Sequence, residues 1–163
     1  MFEYRITKYD PNFRNSRGWY LLEEWTSVCD IGQEFGGRVL TREEYDRVES
    51  AYVAAALVFL EQAGVETLVL NGLENPQELA LPFEEGSVLS LEKAGAVLRQ
   101  VLREEYWCLL EGPEAFIHCG YDYYMYVGVP REVPEAEQLA QSLGLFVEPF
   151  DSPHHPEEDE DEG

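Results

Sequence analysis

An α+β fold is predicted for this chain: a mixed or mostly antiparallel sheet packed by about three helices, in the order β(β)αβαβββαβ. Three observations carry it. A two-residue alternation opens the chain, a long capped helical stripe begins at Thr41, and an aromatic run from Tyr106 to Val129 is broken by turn residues into strand-length pieces. In Phe2–Tyr9, FEYRITKY, the set Phe2, Tyr4, Ile6 and Lys8 alternates with Glu3, Arg5, Thr7 and Tyr9, which predicts a strand ended by Asp10-Pro11. PNFRNSRG then reads as a loop closing at Gly18, and WYLLEEW, Trp19–Trp25, fits a returning strand or a helical turn equally well. Ser27 ahead of Asp30 suggests a short capped turn ended by Gly32 or by Gly36-Gly37.

Thr41 at the N-cap with Glu44 three residues on forms a capping box, and Leu40 and Tyr45 stand at the two positions of a hydrophobic staple. Tyr45, Val48, Tyr52, Ala55, Ala56 and Phe59 continue at helical spacing, with Val53, Leu57 and Leu60 widening the stripe, so this helix is predicted to be central and to end at Gly64. Glu66–Leu70 reads as a short strand, and residues 71–86 as an acidic, aperiodic stretch. A second helix spans Ser90 to about Glu105 with Leu91, Ala94, Leu98, Val101 and Leu102 inward. Tyr106–Leu110, Ala115–Cys119 and Tyr123–Val129 predict a meander. In its last strand Tyr123, Met125 and Val127 oppose Tyr124, Tyr126 and Gly128, with rings on both faces. Pro134 opens a third helix, Gly144 caps it, and Leu145–Phe150 closes the sheet.

The 163 residues fit one domain over residues 1–150, followed by an acidic tail, residues 151–163, whose composition predicts disorder. Acidic residues outnumber basic ones 33 to 11, a formal net charge of −22. The tail holds seven of those carboxylates and no Lys or Arg; residues 1–47 are nearly neutral, and residues 48–150 carry seventeen acidic against four basic groups. Such a surface repels nucleic-acid phosphates and anionic membranes and fits a basic protein partner. Three cysteines without CxxC or zinc-ligand spacing point to a reducing, cytoplasmic setting.

The strings EYRITKYDP, EWTSVCDIG, LTREEY, GYDYYMYVG and LFVEPFDSP resemble a family of small uncharacterised bacterial proteins over nearly the whole body. The resemblance implies no activity, cofactor or site residue.

The chemistry-bearing letters are few. His118 beside Cys119 in a strand points to the opposite face; Cys108 could approach His118 across a hairpin turning at Gly112-Pro113, but a buried thiol and a histidine satisfied by a neighbouring ring explain the same letters. The pair His154-His155 is expected on a part of the molecule unrelated to His118, so no metal site is predicted. HExxH, P-loop and GxGxxG patterns do not occur, and no cofactor is predicted. Trp25 with Asp30 fits an ordinary helix start or a small binding site, and the run Tyr121, Asp122, Tyr123, Tyr124 and Tyr126 fits core and sheet packing or partner binding, since tyrosine presents large area and a hydroxyl at low entropic cost. The expectation is a non-enzymatic, acidic interaction protein for a basic partner, an immunity protein or antitoxin being the concrete instance. A small enzyme assembled around His118 and Asp30, or a subunit that buries its tyrosine face in an oligomer, are the alternatives.

Overall fold

A computed structural model describes residues 1–155; the remaining acidic tail residues, 156–163, lie outside the described part. The predicted fold class holds. Strands β1 (Phe2–Thr7), β4 (Thr67–Glu74), β5 (Val88–Ser90), β6 (Trp107–Glu111), β7 (Phe116–Cys119), β8 (Met125–Val129) and β9 (Phe146–Pro149) form one sheet in the order β5-β4-β6-β7-β8-β1-β9. Every pairing in it is antiparallel. A separate two-stranded hairpin joins β2 (Glu34–Phe35) to β3 (Arg38–Val39). Helices α1 (Arg42–Gln62), α2 (Leu91–Leu102) and α3 (Pro134–Ser142) complete the domain, with α1 packed against both others.

The order contains two strand–helix–strand units, β5-α2-β6 and β8-α3-β9. Each leaves a gap between its strands that another strand fills, β4 in the first and β1 in the second. The meander β6-β7-β8 joins the two units into a continuous sheet.

Helix α1 begins as its sequence dictates. Thr41 Oγ1 accepts the Glu44 N–H at 3.1 Å, and Leu40 and Tyr45 are both buried. The reciprocal half of the capping box is replaced, because the Glu44 carboxylate turns to Arg47. Across α1 and α2, Glu49 is fully buried and receives Arg99 at 2.6 Å and both arms of Arg103 at 2.8 Å.

The strands bury both faces, by different means. Tyr4, Ile6, Leu68, Leu70, Cys108, Leu110, Ile117, Cys119, Met125 and Val127 face the helices in the main core. On the other face Leu109, Phe116, His118 and Tyr126 are also buried, although no helix covers them. Residues 150–155 do so instead. This strap was expected to be part of a disordered tail, yet Ser152 is buried and its N–H donates to Glu3 Oε1 at 3.1 Å. Phe116 lies flat across Gly128, its partner in the ladder, where a Cβ would come within 2.3 Å of the ring. Only glycine admits that ring.

Three further differences have local causes. Trp19–Trp25 is neither strand nor helix: Arg14 and Tyr20 form a single bridge, and Trp19, Leu21 and Leu22 are exposed. The stretch after Leu70 is not structureless, since β4 runs to Glu74 through a bulge and β5 pairs with it across a long connection. Tyr123 precedes β8 in a left-handed turn, φ 66°, beside Asp122 at φ 62°.

Candidate functional site

The residues expected to meet a partner separate in space. Tyr121 is 88% exposed at the β7–β8 turn, and Asp122 beside it is exposed. Tyr124 is half-buried and stacks on Tyr9 at 5.1 Å. Tyr123, Tyr126 and Trp25 are buried, so their rings pack rather than present area. Trp25 and Tyr123 meet edge to face at 5.0 Å, and Tyr123 donates its hydroxyl proton to Tyr45 Oη at 3.0 Å. Asp30 accepts the Thr26 N–H at 2.9 Å and Ser27 accepts that of Cys29, an ordinary capped turn.

Cys108, Cys119 and His118 follow the plain reading of buried thiols and a histidine against a neighbouring ring, and the alternative approach of Cys108 to His118 does not occur. The β6–β7 register pairs Leu110 with Ile117, and its continuation sets Cys108 opposite Cys119 on the helix face. His118 is on the other face, so Cys108 cannot reach it. Burial pushes the Cys108 thiol up to about 12 and Cys119 higher still, which leaves both as packed, protonated groups.

His118, by contrast, is not remote from the other histidines. Its ring stacks on Phe116 at 4.1 Å, and the rings of His155 and His154 lie 5.3 and 6.4 Å away. His118 Nδ1 shares a 2.7 Å hydrogen bond with Ser152 Oγ, and Nε2 lies 3.6 Å from Glu111. Burial, then the neighbouring His155 and His154, depress His118 to about 3, so it is neutral near pH 7. His155 pairs with Glu3 at 2.5 Å. The cluster fastens the strap to the sheet. Among the described residues no three His, Cys, Asp or Glu side chains are grouped so as to hold a metal ion.

Next to the strap opens a groove of about 420 Å³. Its walls come from the end of β4 (Glu74), the turn after α2 (Glu104, Tyr106), the start of β6 (Trp107), the β7–β8 turn (Tyr121) and His154. Among the described residues no Lys or Arg lines it. The walls are rigidly set: Trp107 donates its indole N–H to the Cys119 carbonyl at 2.9 Å, and Ser27 donates to Glu104 at 2.8 Å. Gly120 lets His154 close the wall, because a Cβ there would lie 2.6 Å from its Nε2. Two carboxylates among aromatic rings favour a cation, by charge and by the electron-rich ring faces. Of the expected contact residues the groove gathers Tyr121 alone. Trp107, Glu74 and Glu104 went unnoticed because sequence spacing cannot show that a bulge in β4 brings them together.

No family model, curated protein or solved structure matches this chain. A functional reading therefore rests on the geometry above.

Proposed function

We propose that this chain is a non-enzymatic interaction protein that docks a basic protein partner through the groove around Tyr121, an immunity protein or antitoxin being the most concrete instance. One observation carries the reading: Glu74 and Glu104 flank Trp107 and the exposed Tyr121 in a groove that no Lys or Arg lines among the described residues. The surrounding charge supports it, since residues 48–150 hold seventeen acidic groups against four basic ones. Long-range attraction of that kind raises association rates by orders of magnitude at low salt, and close aromatic contact then slows release.

The test is capture on the immobilised chain at low and high salt, with mass spectrometry of the eluate, run in parallel on Tyr121→Ala/Glu74→Gln/Glu104→Gln. Basic proteins released by salt and at least tenfold depleted on the triple variant, about 1.4 kcal/mol, are the expected result. Equal capture by both chains, or recovery of nucleic acid alone, overturns the reading. Self-association without a basic partner would instead favour an oligomer subunit, for which the exposed Trp19, Leu21, Leu22 and Val39 supply apolar area.

A further inference from the structure

Lys8 stands where the alternation of β1 calls for a hydrophobic residue. It follows Tyr4 and Ile6 on the face turned to the helices, and its backbone N–H donates to Tyr52 Oη at 2.7 Å. The side chain is only 8% exposed, with the ammonium 4.3 Å from the Trp25 ring and 4.4 Å from that of Tyr9. Its nearest anion is Glu24 Oε2 at 3.7 Å, beyond hydrogen-bonding reach. Both Lys8 Nζ and Glu24 Oε2 are buried without a hydrogen-bond partner among the described residues.

These two groups border a cavity of about 140 Å³. Trp25, Val48, Ala51 and Leu145 supply its apolar walls. Glu44 and Arg47 also border it, but they are more than two-fifths exposed and satisfy each other at 2.6 Å. Lys8 and Glu24, an ion pair whose Glu24 side chain keeps 35% exposure, are the two that still lack hydrogen bonds at Nζ and Oε2.

We propose that this cavity binds a free α-amino acid of glycine or alanine size. A buried ammonium and a buried carboxylate oxygen, paired at 3.7 Å but each without a hydrogen bond, are costly arrangements that a complementary ligand relieves. A zwitterion relieves both at once: its carboxylate accepts from Lys8 Nζ while its ammonium donates to Glu24 Oε2. A ligand with one charge would satisfy one partner and strand the other. The amine and carboxylate of an α-amino acid are separated by roughly 3 Å across one Cα, which suits the 3.7 Å spacing of the protein pair. At about 30 Å³ per water-sized group, a space of about 140 Å³ takes about five such groups. A space of that size suits glycine or alanine better than leucine. Burial lowers Lys8 to about 8 against the opposing pull of Glu24, as expected of an ammonium short of acceptors.

The experiment is a nuclear magnetic resonance titration of the full chain with glycine and L-alanine, alongside acetate, ethylammonium and L-leucine. Saturable shifts with glycine or alanine, centred on Lys8, Glu24, Trp25 and Val48, are expected, with none from the three controls over the same range. Lys8→Met and Glu24→Gln should each weaken the response at least about tenfold. Two outcomes overturn the proposal: no saturation by either amino acid up to tens of millimolar, or equal saturation by acetate or ethylammonium alone. Should Lys8→Met fail to fold, the ligand series on the unaltered chain decides.

Discussion

His118 is a neutral imidazole pressed between Phe116 and the strap, and its surroundings fix how it responds to acid. The titratable groups facing it are Glu111 from β6, Glu3 from β1 through His155, and the two strap histidines. Its folded-state value of about 3 lies below the ordinary 6.5, so the unfolded chain takes up the proton first. The stability held by neutral His118 is intact above pH 6.5 and is lost progressively as pH falls toward 3. Burial raises Glu111 above the ordinary carboxylate range, a contribution of the opposite sign that is lost as pH rises. Comparing the protein with His118→Phe isolates the histidine. The variant should lose about 1 kcal/mol at pH 7, because Ser152 loses its partner, and its urea midpoint should fall less steeply between pH 6.5 and 4.

Between elements, the contact most sensitive to a single change is the Glu49 junction of α1 and α2. Burial alone would raise the Glu49 carboxyl, but hydrogen bonds from Arg103, Tyr45 and Arg99 outweigh it and hold the group below the usual range. Its stabilisation is therefore present above the unfolded value of 4.5 and lost on acidification. Glu49→Ala leaves two guanidinium groups beside an apolar gap. Because Arg99 and Arg103 retain 37% and 29% exposure, the expected loss is about 3 kcal/mol, at the lower end for a broken buried pair, read from urea unfolding. Elements with a local cause were legible in the sequence. Thr41 marks the start of α1 by its own hydroxyl, and Pro134 and Gly144 bracket α3. Elements set by distant partners were not. β5 is three residues long and exists because β4 offers an edge to Val88–Ser90, and the Glu74 bulge that opens the groove follows from pairing with Trp107. The strap was hidden for a like reason. DSPHH carries no apolar pattern, and only the buried His118 and the floor of Phe116 and Tyr126 make those residues part of the fold.

At the scale of the molecule, the helices cover one face of the sheet and a six-residue strap covers much of the other. Ending the chain at Pro149 removes Phe150, whose ring lies 4.1 Å from the Arg5 guanidinium, and uncovers Phe116, His118 and Tyr126. That truncation should cost at least about 2 kcal/mol and add binding of a hydrophobic dye, as read by urea unfolding and dye fluorescence. The position of β1 has a further consequence. It lies between β8 and β9, one strand in from the edge, although it is the first to be made. A ribosome releases Phe2–Thr7 long before either neighbour has been translated, so this segment travels unpaired until β8 leaves the exit tunnel and keeps one bare edge until β9 follows. Newborn copies on one messenger would all carry that bare ribbon at once, a template for pairing between chains until folding covers it.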